Sequence, residues 1–330
     1  MSGSAPGPGH DAAARGNARL ATVMLTVTCL CWGSTFLLMK LGAERIRAIG
    51  GLRDGLVASA LFLLVRFALA AVLTPLCIPR AWRRLDGAAW RHGFLLSLPF
   101  SAGFILQVFG LAQDDVTPSQ SAFLTSLFVV ATPILDGVIR RRRPTLGVLA
   151  GVALATLGAA FIQGPPRGGL SLGAWATIAC AVVFAGHILL TDHSTRRADP
   201  MALTFTTLVL STLWMLLALL ALPGGAAVLR PALVGRLLLD PVFAGAMAVC
   251  TLLATVVALA LLNRWQKELS PSRAAIVYTS EPVFATLVSI AAGRERLAFW
   301  LFFGAAMILA ANLAVEFIGR RRVPPPDSRA

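Results

Sequence analysis

Three ionisable residues, Arg66, His187 and Glu281, lie deep inside long apolar runs. In lipid, a charge at the middle of a helix costs about 2.5–3.5 kcal/mol on insertion scales, so such groups face a bundle interior or a watery cavity. Glu281 stands between Ser280 and Pro282. A proline removes one backbone donor and frees a carbonyl about one turn earlier, here near Tyr278, so a kinked or broken helix is expected. Two readings of Glu281 stay open: it binds a cationic group or takes a proton, or it pairs with Arg66 or caps freed backbone and only holds the bundle together. Arg66 has the forked guanidinium that grips a carboxylate through two hydrogen bonds. It could equally snorkel, or pair with Glu281. His187, with an ordinary pKa of about 6.5, is either a proton relay or a hydrogen-bonded structural residue.

Uncharged polar residues complete the candidate set. Ser34 and Thr35 can bond carbonyls of their own helix. Gln107 cannot satisfy its amide that way and needs a partner on another helix or in a cavity. Thr125 is a packing or cavity-lining residue. Trp32 and Tyr278, the only tyrosine in the chain, offer aromatic walls with a polar tip. The sequence contains no G-x-x-x-x-G-K-[ST], no H-E-x-x-H and no G-x-S-x-G. The five cysteines are an odd set without zinc-ligand spacing and read as small apolar packing residues. Hence no catalytic residue, no metal and no cofactor is expected.

The elements that must position these residues are apolar. The chain has 330 residues, 57% hydrophobic and 13% charged, with a mean hydropathy of +0.77. A soluble domain has about 25% charged residues to cover its surface. The deficit excludes a soluble enzyme and a disordered chain. Apolar stretches occupy 20–40, 56–78, 93–113, 119–139, 145–163, 171–191, 202–222, 241–263, 271–292 and 297–318. Each approaches the 17–25 residues that a helix needs to cross a bilayer. Helices are expected because backbone polar groups must pair internally in lipid. The net charge of +14 comes from arginines in the gaps, a membrane-topology pattern and not a nucleic-acid face. With the amino terminus cytoplasmic, nineteen of the twenty-nine Lys and Arg residues fall on that side and nine outside. Both termini are therefore expected inside.

Thr117-Pro118-Ser119-Gln120-Ser121-Ala122 parallels Ser270-Pro271-Ser272-Arg273-Ala274-Ala275, 153 residues later. The same offset pairs Arg141 with Arg294, Arg143 with Arg296 and Gly151 with Gly304. Duplication into two five-span halves follows. An odd number of spans inverts the second copy, an architecture that places a solute site between the halves.

Several segments, in order, resemble one family: Cys31-Trp32-Gly33-Ser34-Thr35-Phe36, Arg66-Phe67, Gln107-Val108-Phe109-Gly110-Leu111, the run Ala122–Val130 with Pro133, and Ala275–Phe284 followed by Gly293-Arg294-Glu295-Arg296. They are similar to the EamA branch of the drug/metabolite transporter superfamily over about residues 20–318. One departure stands out: Arg140-Arg141-Arg142-Arg143 replaces a Gly-Glu-Arg that often follows the fourth span, so a role for that Glu is not carried over. The resemblance implies ten helices and carrier-type transport across a bacterial inner membrane, usually export of small metabolites.

The expectation is thus an all-α integral membrane protein of ten transmembrane helices in two inverted five-helix repeats, 20–163 and 171–318. Cytoplasmic, disordered tails at 1–19 and 319–330 flank them. The function expected is a secondary transporter, an exporter of small metabolites or amino-acid-like solutes by alternating access. The alternatives are a nucleotide- or lipid-linked sugar carrier and a membrane-embedded lipid-modifying enzyme. Its partners would be a small-molecule solute and the bilayer, with no nucleic acid; proton coupling and a homodimer stay open. The substrate-binding candidates are Trp32, Ser34, Thr35, Arg66, Gln107, Thr125, His187, Tyr278 and Glu281.

Overall fold

The structure, a computed structural model, describes residues 8–139, 141, 146–162, 169–269 and 277–319. No strand occurs among them. The second copy of the duplicated motif, Ser270–Ala275, lies outside the described residues, as do Arg140, Arg142 and Arg143, residues 1–7 and the carboxy-terminal segment 320–330.

Helix α1 (Pro8–Gly50) takes in residues 8–19, which the sequence reading assigned to a tail. Then come α2 (Gly55–Cys77), the short α3 (Arg80–Arg83) and α4 (Gly87–Ala112). A split helix follows, α5 (Pro118–Thr125) and α6 (Phe128–Ile139), and then α7 (Leu146–Phe161). The second half has α8 (Leu172–Thr195), α9 (Pro200–Ala221) and the short α10 (Pro231–Leu239). Helix α11 (Pro241–Ala248) runs through a π-helical stretch, Val249–Val257, into α12 (Ala258–Trp265). Helices α13 (Glu281–Ala291) and α14 (Phe299–Gly319) end the fold.

Local chemistry sets the helix starts. Orphan backbone N–H groups in a first turn need an acceptor, and Asp, Ser and Thr supply it. Asp54 accepts from the Leu56 N–H, Asp86 from Ala89, Ser171 from Ala174, and Asp199 from Met201 and Ala202. Thr117 and Gln120 cap each other reciprocally ahead of α5. Pro118, Pro200 and Pro241 each open a helix, where a missing N–H costs nothing.

Among the described residues, seven helices are long and apolar enough to cross a membrane: Asn17–Gly50, Gly55–Cys77, Gly87–Ala112, Pro118–Ile139, Leu172–Thr195, Pro200–Ala221 and Pro241–Trp265. Where the fifth, ninth and tenth spans were expected, the described apolar helices are shorter: Leu149–Phe161, Glu281–Ala291 and Phe299–Ala314. The expectation of ten full-length spans is thus met by seven among the described residues. The ninth is interrupted at Thr279–Ser280, and residues 270–276 of it, like segments beside the other two, lie outside the described residues.

Packing pairs the halves element by element. Helix α7 lies along α14 and α2 along α9; α4 packs on α8 and α9, while the α11–α12 helix packs on α1 and α2; α6 meets α8 as α13 meets α1. Exchanging the halves maps this set onto itself. Glycines bring backbones together where side chains would separate them. A Cβ on Gly158 of α7 would sit 2.8 Å from the Gly304 carbonyl oxygen of α14, and one on Gly33 of α1 2.8 Å from the Glu281 carbonyl oxygen.

At the loop end of α10, Arg45 of α1 makes a two-pronged ion pair with Asp240, which also accepts the Phe243 N–H at 2.8 Å. The Arg45 hydrogen bond, then the backbone donor, hold the Asp240 carboxyl below the usual carboxylate range.

Two outcomes are expected. Replacing Gly158 with Ala gains about 1 kcal/mol of helix propensity, but forces two backbones apart, a strain of about 1–3 kcal/mol. The thermal midpoint in detergent should fall. Because the Asp240 pKa is lowered in the fold, its stabilisation is complete above the unfolded value of about 3.9 and lost as pH falls through the lower, folded value. Asp240→Asn should lower the midpoint at pH 7, and the gap to the parent should close under strong acid.

Candidate functional site

One cavity of about 100 Å³ lies between the halves. A water needs roughly 10–15 Å³ on this measure, so it holds several waters or a small solute. Trp32, Thr35, Arg66, Gln107, Thr125, His187, Tyr278 and Glu281 all line it. Ser34 does not: its hydroxyl bonds the Cys31 carbonyl of its own helix at 2.7 Å. The reason is helical rotation. Residues 32, 35 and 36 share the α1 face turned to the cavity, and Ser34 points elsewhere.

Two broken helices meet at the cavity. The first half breaks at Ser126–Leu127, between α5 and α6; the second breaks at Thr279–Ser280, ahead of α13. The breaks are 153 residues apart, the offset of the sequence repeat. In each, a serine hydroxyl takes the carbonyl three residues back: Ser126 bonds Phe123 at 2.7 Å and Ser280 bonds Val277 at 2.6 Å. Asn312 of α14 donates to Ser126 Oγ, tying the first break to the far wall of the bundle. Thr125 and Phe128 flank one break and Tyr278 and Glu281 the other, and all four line the cavity.

The π-helical stretch holds a third wall. There Thr255 donates to the Cys250 carbonyl, five residues back, at 2.7 Å. Its oxygen accepts the Arg66 Nε–H at 2.7 Å. The Trp32 indole N–H donates to the Ala254 carbonyl at 3.0 Å. A π turn leaves carbonyls open to partners from outside the helix, and such turns gather at functional sites.

Arg66 is buried, yet it does not pair with Glu281, and no ion pair joins them among the described residues. Besides Thr255 it touches Met39 Sδ at 3.4 Å, and its guanidinium lies 5.3 Å from the Phe104 ring centre and 5.7 Å from that of Phe67. Such cation–π contact offsets part of the desolvation cost. Neither the Glu281 carboxylate nor the Gln107 amide hydrogen-bonds a described residue. The His187 ring also lacks a hydrogen bond there and lies 5.4 Å from the Phe100 ring centre, so the expected hydrogen-bonded structural histidine is not found. Tyr278 Oη donates to Gln266 Oε1 at 3.0 Å. The cavity thus presents a guanidinium and a carboxyl group, apart from each other, inside a wall rich in aromatic rings.

Sequence reasoning named Trp32 and Tyr278 as aromatic walls but missed Thr255 and the phenylalanines of the wall. A signal for the latter existed: Phe100, Phe104 and Gln107 fall at i, i+4 and i+7 on α4, one helical face. Thr255 had none, because its role comes from the π turn.

Thr255→Val leaves the buried Arg66 Nε–H without its acceptor. Removing one partner of a buried hydrogen bond costs about 1–3 kcal/mol, so the thermal midpoint should drop. Ser34→Ala should leave both stability and transport within about twofold of the parent, since its hydroxyl serves only its own helix.

The comparisons with known proteins agree with this architecture. Residues 19–163 and 171–316 each match the EamA-like transporter family. An uncharacterized transporter of Archaeoglobus fulgidus is 28% identical over 296 residues, 90% of this chain and 85% of the relative. A solved structure described only as "Crystal structure of protein" superposes with a TM-score of 0.59 at 17% identity, covering 92% of this chain and 98% of that one. With two family repeats and, among the described residues, seven helices long and apolar enough to cross a membrane, the chain is a multi-pass membrane transporter and belongs to the EamA-like transporter family.

Proposed function

We propose that the protein is a secondary carrier for small zwitterionic, amino-acid-like solutes, working by alternating access between two inverted five-helix halves. The observation that carries this reading is the Arg66 guanidinium and the Glu281 carboxyl, separate on one cavity with aromatic walls and without an ion pair to a described residue. A zwitterion fits both at once. Its carboxylate replaces water on the free Arg66 N–H groups, its ammonium meets Glu281, and an apolar side group lies against Phe100 and Phe104. A bound ion that finds both partners avoids the penalty of an unpaired charge in a low-dielectric site.

The exchange-symmetric packing and the matched helix breaks support a two-fold relation between the halves. With five passes each, that axis lies in the membrane plane. The excess of arginine on one side supports cytoplasmic termini in a bacterial inner membrane. Export is the direction we favour, with the solute gradient or a proton gradient as drive and Glu281 as the proton carrier. A homodimer is compatible with this reading and not required by it. A nucleotide- or lipid-linked sugar is disfavoured, because among the described residues Arg66 is the one Lys or Arg on the cavity that its phosphates would meet. An enzymatic role is disfavoured too: no group of three or more His, Cys, Asp or Glu suited to a metal occurs among the described residues.

Transport in proteoliposomes tests the proposal, with a labelled panel of neutral, acidic and cationic amino acids. Arg66→Ala should reduce flux of acidic and zwitterionic solutes by at least tenfold more than flux of carboxylate-free amines. Equal loss for all classes would point to a folding role and sink the carboxylate site. Glu281→Gln should remove the response of flux to an imposed pH gradient; an unchanged response takes Glu281 out of that role.

A further inference from the structure

A second, smaller cavity of about 50 Å³ lies among α1, α2 and α4, three of the helices that line the central one. Its walls step along each helix from the central site. On α1 the series runs from Thr35 to Met39 and Ala43; on α2 from Arg66 to Ser59 and Gly55; on α4 from Gln107 to Val108 and Leu111. The two spaces are therefore stacked along the helix axes. Met39 stands between them. It is buried, lines the second cavity, and its sulfur touches the Arg66 guanidinium on the wall of the first. Methionine is flexible and unbranched, so it can fill a gap and swing out of it at low cost.

The second cavity opens at the loop end of α1, and its charges are balanced. Lys40 and Arg47 supply two positive groups, Glu44 and Asp114 two negative ones. Lys40 Nζ donates to the Val116 carbonyl at 2.8 Å, and Glu44 pairs with Arg294 of the other half at 3.6 Å. Nearby, Glu295 of the second half accepts the Ser119 N–H at 3.1 Å and the Thr117 hydroxyl at 3.3 Å, capping α5 of the first half. Polar contacts across the halves thus tie the Lys40 end. At the opposite end the described ion pairs are local, Arg264 with Glu268 and Arg196 with Asp192, each four residues apart, while the Thr206 hydroxyl donates across the halves to the Ala89 carbonyl at 3.0 Å. Ile188, Thr191, Leu262 and Gln266 carry the central cavity toward that opposite end.

We propose that the second cavity is a vestibule on the solute path, a compartment for small zwitterions at the Lys40 end, and that Met39 is the gate between it and the central site. This rests on the carrier reading above. In the conformer described here the gate is closed and the central cavity communicates with the Arg264 end.

Cysteine accessibility tests this without knowledge of the solute. Native Cys29, Cys180 and Cys250 are buried, so replacing half-buried Cys31 and exposed Cys77 with Ala gives a quiet background. Single cysteines are placed at Thr35 (central cavity), Ser59 (vestibule) and Ala58, the neighbour of Ser59 that faces the core. Oriented vesicles expose one end or the other to membrane-impermeant methanethiosulfonates. Thr35→Cys should react from the Arg264 end, Ser59→Cys from the Lys40 end, and Ala58→Cys from neither. Adding Met39→Ala to Thr35→Cys should raise its rate from the Lys40 end by at least tenfold. An unchanged rate overturns the gate. If Met39→Ala does not fold, Met39→Cys carries the test: labelling from both ends is expected, and labelling from one end only overturns the proposal. For charge balance, cationic and anionic reagents should label Ser59→Cys at rates, normalised to a free thiol, within about threefold. A net unit charge nearby would separate them by about tenfold or more, which would overturn the zwitterion assignment. Failure of the carrier reading looks different: Thr35→Cys would then be unreactive from both ends in every background.

Discussion

A guanidinium enclosed by apolar helices must be solvated by the protein or by something the protein holds. Arg66 is the case on which this structure turns. Thr255 takes one of its donors, Met39 and two phenyl rings cover part of it, and no carboxylate among the described residues pairs with it. Moving such an ion out of water costs several kcal/mol after relaxation. The fold therefore keeps polar space beside it, and the cavity is the form that space takes. Aromatic walls, the free Gln107 amide and the separate Glu281 carboxylate follow as a setting in which charge is tolerated without being cancelled.

The backbone contributes as much as the side chains. A continuous α-helix hides its carbonyls and N–H groups, so a site deep in a helical bundle needs interrupted helices. The chain interrupts them three times around one cavity, at Ser126–Leu127, at Thr279–Ser280 and along Val249–Val257. The first two stand at equivalent places in the repeats, each stabilised by a serine bonding three residues back. Such a break inherits its position from duplication, while each half supplies different side chains to it: Phe128 stands where the other copy has Glu281.

Much of this was legible in the residues. The long apolar runs give helices because lipid leaves the backbone no other partner. The cost of Arg66, His187 and Glu281 in apolar sequence marks them as inward-facing, and all three line the cavity. Gln107 was legible for a related reason, since an amide cannot be satisfied within its own helix. Ser34 was misjudged because a hydroxyl can be, and its helical phase turned it aside. The Arg66–Glu281 pair was a sound guess from charge alone, yet whether two such residues come within 4 Å depends on the relative rotation of α2 and α13, which no local pattern encodes. Thr255 and the part taken by Met39 were invisible for the same reason: each depends on what faces it from another helix.

The wide turn of Val249–Val257 has an outcome for the cycle as a whole. At the repeat offset its counterpart is 96–104 of α4, an ordinary α-helix containing Pro99. A carrier whose halves were identical would have two end states of equal free energy, related by rotation, and could show no preference for resting open to one side. In the alternating-access cycle proposed above, the wider turn in a single half is one of the differences that would lift that degeneracy. The resting orientation, and with it the relative occupancy of the two faces at zero gradient, would then be set in part by the difference between two helices and not by the solute alone.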